Sequence, residues 1–154
     1  MNMTYFTDEW ALLGTIDPAA LASSPATATL TDAIDMASYD QVAFVVAVGA
    51  IGAAANTVNF SVTQAATSGG VYKAISGTAI TPLTGSPTDA NKQVIVTVDQ
   101  TALDLANDYR YVKGSLSTAG GASTTLACVT VFGRAKHKPA SGSDLASVDE
   151  IVNA

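Results

Sequence analysis

At 154 residues the chain has room for one domain of ordinary size and none for a second. Hydrophobic residues at 48% against charged residues at 13% exclude an intrinsically disordered chain and supply the apolar surface for a single core. The net charge of −6 arises wholly in the first half, where residues 1–72 hold Asp8, Glu9, Asp17, Asp32, Asp35 and Asp40 but no Lys or Arg. A nucleic acid, which is bound through clustered cations, is therefore not an expected partner.

In chain order, residues 1–25 place Tyr5, Phe6, Trp10, Leu12, Leu13 and Ile16 in no sustained period, which predicts an arm packed against another surface. Within it, Asp17 followed by Pro18 has the chemistry of a helix N-cap and first turn, predicting a short helix through Ala22. Residues 1–10 carry Asp8 and Glu9 and no cation, so they do not read as a secretion signal, and synthesis in a cytoplasm is expected.

Residues 41–49 are apolar on both faces, as a central strand would be. The apolar run 42–55 stops short of the roughly 20 residues of a membrane-spanning helix, so no membrane partner is expected. Residues 57–64 and 93–98 alternate, with Val58, Phe60 and Val62 facing one way and Asn59, Ser61 and Thr63 the other; both predict half-buried strands. Residues 72–75 and 78–80 predict weaker strands around Ser76 and Gly77, and residues 101–107 a helical turn anchored by Leu103. Residues 109–116 and 123–133, joined across Gly120 and Gly121, predict a closing hairpin.

Beyond Gly133 come Arg134, Lys136 and Lys138, then Pro139, Ser141, Gly142 and Ser143. Ser147 and Glu150 have capping-box spacing, so that Leu145, Val148, Ile151 and Val152 form a small apolar face needing a surface to lie on. That surface is a neighbouring subunit, a capsid, or the chain's own domain. The whole pattern predicts an all-β fold: an antiparallel β-sandwich or jelly roll of about eight strands over residues 28–133, with arms at 1–27 and 134–154.

Candidate chemistry is sparse. Cys128 lies in an apolar strand pattern and reads as a core thiol, and the single histidine, His137, lies between two lysines in the tail, where it reads as solvated. Asp99, Asp104 and Asp108 with Asn107 bear oxygens but lack the ordered ligand loop of a calcium site, and cap and turn roles are the default. Tyr109 and Tyr111 share a strand face, either as a stacking platform for a sugar or base or as ordinary cross-strand packing. No catalytic residue, metal or cofactor is nominated, and an enzyme is not expected.

Three stretches carry a family resemblance: TDAIDMASYDQVAFVVAVGAI (31–51), LDLANDYRYVKGSL (103–116) and PASGSDLASVDEIV (139–152). Over residues 28–152 the chain resembles the small decoration, or cement, proteins encoded among the head genes of tailed bacteriophages. The resemblance implies a homotrimer, with a dimer as the alternative, bound to the major capsid protein on the outer surface of the virion. The interface residues expected in the arms are Tyr5, Phe6, Trp10, Arg134, Lys136, Lys138, Leu145, Val148, Ile151 and Val152. A carbohydrate-binding or adhesion module on the head, or another head or tail structural role, is the alternative function.

Overall fold

A computed structural model of the chain describes residues 5–22, 27–86, 89–121, 124–140 and 148–152. Among the described residues the fold is all-β, as the alternation predicts, with one short helix, α1 (Phe6–Glu9), and two 3₁₀ turns, Gln100–Ala102 and Leu105–Asn107. Ten strands follow in chain order: β1 (Trp10–Ala22), β2 (Ala28–Leu30), β3 (Ile34–Asp35), β4 (Tyr39–Ile51), β5 (Thr57–Ala65), β6 (Lys73–Ala74), β7 (Leu83–Thr84), β8 (Gln93–Asp99), β9 (Tyr111–Ala119) and β10 (Thr124–Ala135). They form two antiparallel sheets, the first ordered β1-β10-β4-β8 and the second β2-β9-β5-β6, with β3 also beside β9 and β7 beside β5.

Two strand pairs are each one interrupted strand. Between β2 and β3, the buried Thr31 leaves the ladder and its Oγ1 accepts from the Gly114 amide at 2.9 Å, while its own amide donates to the Gly114 carbonyl at 3.0 Å. Between β6 and β7, Thr78 does the same against β5: its Oγ1 accepts from the Val62 amide and donates to the Val62 carbonyl, both at 3.1 Å. Counting each interrupted strand once leaves eight, paired first with last, second with seventh, third with sixth and fourth with fifth in two four-stranded sheets. That nesting is a jelly roll, the second of the two predicted architectures.

The core lies between the sheets. Val42, Phe44, Val46 and Val48 of β4 and Val129 and Val131 of β10 face Val58, Phe60 and Val62 of β5 and Val112 and Leu116 of β9, with Phe44 and Phe60 tilted against each other at 5.6 Å. Gly114 gives those rings their space, since a Cβ there would stand 2.8 Å from Phe60. β4 is central, between β10 and β8, and the anchor role of Leu103 holds: it is buried between the two 3₁₀ turns.

Three expectations are corrected. Residues 17–22 are not a helix but the second half of β1, and residues 10–22 belong to the sandwich rather than to an arm. Pro18 falls within a register shift between Ile16 and Ala19 on an edge strand, where its missing N–H costs no ladder bond. Strands β9 and β10 are not a hairpin, because β9 lies in the second sheet and β10 in the first; the Gly120–Gly121 turn crosses the core instead. Cys128 is not a core thiol: Ala127, Val129 and Val131 point inward, which turns Cys128 to the outer face, half-buried. Within 78–80, Thr78 and Ile80 bond β5 without forming a strand.

At one end of the sandwich the sheet-to-sheet crossings converge on Asn56, which has no exposed surface. Its Oδ1 accepts from the Gly121 amide at 2.8 Å, its Nδ2 donates to Thr125 Oγ1 at 3.4 Å, and its carbonyl accepts from the Gly85 amide at 3.1 Å. Gly120, at φ +127°, lies so close that a Cβ would stand 2.5 Å from the Ala55 carbonyl oxygen. Asn56→Ala strands a buried amide and hydroxyl, so a loss of about 2 kcal/mol is expected. By thermal unfolding followed in the far ultraviolet this appears as a midpoint lower by about 4–8 °C with the native spectrum retained; an unchanged midpoint would show that water serves these groups equally well.

Candidate interaction surfaces

The predicted interface residues divide on the structure into those that meet and those that do not. β1 and β10 are neighbours, so the chain ends emerge side by side: Trp10 opposes Arg134 in the ladder, and Leu12 opposes Phe132. α1 folds back over this point. The Asp8 amide donates to the Tyr5 carbonyl at 3.0 Å and the Tyr5 amide to Asp8 Oδ2 at 2.9 Å, closing the turn. Phe6 then lies parallel to Trp10, centroids 6.1 Å apart, and edge-on to Phe132 at 5.3 Å.

The chain leaving β10 returns to the same corner. The Ala140 amide donates to the Asp8 carbonyl at 2.9 Å, and Lys138 forms an ion pair with Glu9. Phe6, Trp10, Leu12 and Phe132 on one side and Val148 and Ile151 on the other line an apolar cleft of about 460 Å³. Phe6, Trp10, Val148 and Ile151, predicted separately from the two ends, therefore line one cleft. Phe6 remains 56% exposed and Ile151 48%; Val152 is 75% exposed and outside the cleft, and Tyr5 is exposed. Residues 148–152 are not helical, which corrects the helical face expected there, and Leu145 lies outside the described residues.

The three basic residues do not act as one patch. Lys136 is turned inward, its Nζ donating to the Met36 carbonyl at 3.1 Å and its amide to the Ser38 carbonyl at 3.1 Å. Lys138 is held by Glu9. Arg134 is exposed and, among the described residues, makes no ion pair. The Lys138 ammonium, by hydrogen bond and charge, holds the Glu9 carboxyl below its usual range, with Arg134 adding a smaller effect.

A second grouping was only half legible in the sequence. At the β9-start end of the second sheet, Tyr109 and Tyr111 are joined by Tyr72 from the loop before β6, each ring with a cation over it: Lys73 over Tyr109 at 4.5 Å, Arg110 over Tyr111 at 5.0 Å, Lys113 over Tyr72 at 4.7 Å. Burial, with a smaller effect from Tyr111, pushes the Tyr72 phenol upward. Arg110 pairs with Asp35, and Lys73 with Asp104 at 2.6 Å. The cross-chain signal for Tyr72 was absent because 37 residues of chain separate it from Tyr109.

The carboxylates weighed for calcium have other roles. Asp99 accepts from the Thr101 amide and hydroxyl, both at 2.9 Å, as the cap of the first 3₁₀ turn, and Asp104 accepts from Lys73 and from Asn107 Nδ2 at 2.9 Å. Asp108 ends the second turn in the left-handed region at φ 55°. Among the described residues no three His, Cys, Asp or Glu side chains converge as metal ligands.

No family model matches the chain, and no curated protein matches it. Among solved structures, a chain of the cryo-EM structure of Broad Bean Stain Virus is similar over 94% of this chain and 97% of that one, at 9% sequence identity and a TM-score of 0.41.

The terminal corner has a pH dependence whose sign follows from Glu9. Its carboxyl titrates lower in the folded corner than in the free chain, so the Lys138 pair contributes fully above the usual carboxylate range and is lost as pH falls through the lowered value. Hydrogen exchange at the Ala140 amide reads this directly. Its protection is expected to fall on acidification below that range and, in Glu9→Gln, to be low already at neutral pH; equal protection in both proteins at neutral pH would dismiss the ion pair as the fastener.

Proposed function

We propose that the chain is a virion structural protein, a decoration protein that binds the outside of an assembled tailed-phage head and reinforces the joints between capsomers. The observation that carries this reading is the terminal corner. Residues 5–9 and 138–140 are tied to each other beside the jelly roll, and Phe6 and Ile151 remain exposed at an apolar cleft with Val152 exposed beyond it. The resemblance of residues 28–152 to head-gene decoration proteins supports it, and so does the acidic first half, which suits a surface facing water better than one facing DNA.

A ligand that binds only the assembled arrangement stabilises that arrangement by its own binding free energy, which is the task of a cement protein under the outward pressure of packaged DNA. Each corner is a small footprint, and copies tethered to one lattice gain through effective concentration rather than through new contacts. On this reading the major capsid protein is the partner, synthesis is in the host cytoplasm, and the role is structural rather than catalytic.

The tyrosine grouping favours a second reading, a glycan-binding module on the head. Aromatic rings edged by cations offer stacking faces and hydrogen-bond donors to an acidic sugar.

Removing the protein from particles and measuring genome release on heating separates the two. Decorated heads are expected to hold DNA to a higher temperature than stripped ones, and adding back the chain with Phe6→Ala and Ile151→Ser to restore less of that margin than wild type. Stripped particles that hold their DNA equally well would remove the cement reading and leave the glycan module in first place.

A further inference from the structure

The two outer faces of the sandwich differ in kind. On the second sheet the outward positions of β5 and β9 are Thr57, Asn59, Ser61 and Thr63, and Tyr111, Lys113, Ser115, Ser117 and Ala119, a mostly polar surface. On the first sheet the outward positions at 93, 95 and 97 of β8, at 43, 45, 47 and 49 of β4 and at 126, 128, 130 and 132 of β10 carry no charge, and the charged residues Asp99 of β8, Arg134 of β10 and Asp17 of β1 stand at its margins. Ile95, Val45 and Thr130 form one cross-strand row, and Ala47 and Cys128 lie together in the next. Ile95 is 67% exposed. A shallow apolar depression of about 320 Å³ lies between Pro18, Ala47, Gly49, Leu126 and Cys128. The terminal corner covers one end of this face, and among the described residues no helix or third sheet lies over the rest.

We propose that this face binds the same face of a second copy, so that two jelly rolls pair through their β1-β10-β4-β8 sheets. The inference does not depend on the virion reading. Three considerations select a second copy as the occupant. The first is area. The strands are 13, 12, 13 and 7 residues long, and at about 3.3 Å per residue and about 4.8 Å between strands this whole side of the molecule, the terminal corner included, measures roughly 700 Å². A standard stable interface takes roughly 800 Å² per partner.

The second is shape: alanines 43 and 47 and Gly49 keep the middle of the face low, so another sheet can approach to the roughly 10 Å at which sheets stack. The third is electrostatics. Two copies of a chain of net charge −6 repel over most of their surfaces, and this face, with Asp17, Asp99 and Arg134 only at its margins, is where they meet with the least of that cost. A two-fold contact uses one self-complementary patch and closes at two copies. The face therefore favours a pair over the trimer that the family resemblance implies.

Sedimentation equilibrium on the full chain tests this, with a mass of twice 15.5 kDa expected for the wild type. Val45→Lys places a charge at the centre of the contact and is expected to raise the dissociation constant about a hundredfold or more, to a monomer at micromolar concentration, with the β spectrum retained. Ile95→Lys, on an edge strand and already exposed, gives the same result if Val45→Lys does not fold. Ser61→Lys on the opposite face leaves the pair intact. Cys128 supplies an independent reading, reacting slowly with a thiol reagent in the pair and faster in the monomeric variant. A wild-type monomer, a trimer, or a pair that survives both lysine variants overturns the proposal, and each of these leaves the particle experiment free to succeed or fail by itself.

Discussion

The arrangement of the two sheets depends on a single buried amide. Asn56 ends the β4-to-β5 crossing just before β5, and its side chain and carbonyl satisfy groups from two others, β7 to β8 at Gly85 and β9 to β10 at Gly121, and from Thr125 of β10. The fourth crossing at this end, from β1 to β2, is tied nearby where Thr118 Oγ1 donates to the Ala22 carbonyl at 2.8 Å. Hydrophobic burial is non-directional and would accept many offsets of one sheet over the other. A polar network that is satisfied in one geometry and stranded in the others removes that freedom, so Asn56 fixes which offset the core adopts.

How much of this was legible in the sequence follows from the range of each signal. Alternation is local, and β5 and β8 were read from it because their inward valines and outward Ser, Thr and Asn sit two residues apart. Parity in a continuous apolar strand is not local, which is why Cys128 was assigned to the wrong face: only the pairing of β10 between β1 and β4 decides which side is inside. Gly120 and Gly121 mark a tight reversal equally well for a hairpin and for a crossing, and the choice between them is made by Asn56, 65 residues away from Gly121. The Asp17-Pro18 pair misleads for a related reason, since its helix-starting chemistry is overridden when an edge strand tolerates the proline within a register shift.

The functional surfaces were legible as residue types and not as places. Phe6 and Trp10, with Val148 and Ile151, stood out as apolar residues that their own segments could not bury, but nothing in either segment says that they share a cleft. Lys136 and Lys138 were read with Arg134 as a basic stretch, whereas the fold spends one on the Met36 carbonyl and the other on Glu9. The run at 41–49 was rightly read as central and apolar on both sides. In a two-layer fold that property has a further meaning, because a central strand of a sandwich has only one covered face, and the other shows its alanines and valine to the outside.

The meeting of the chain ends is itself a consequence of topology. Jelly-roll nesting pairs the first strand with the last, so β1 and β10 run side by side and the segments before one and after the other leave the sheet at the same corner. Apolar residues in the two segments then cover one another, as Phe6 covers Phe132, and the Ala140–Asp8 backbone bond holds the segments together with a small addition from the exposed Glu9–Lys138 ion pair. The uncovered face of the first sheet begins where that corner stops. The corner and the face are thus adjoining parts of one side of the molecule, while the Ser/Thr-lined second sheet is turned the opposite way. That division gives the molecule one side whose middle is apolar and one that is mostly polar, and it follows from which strands the topology places in each sheet.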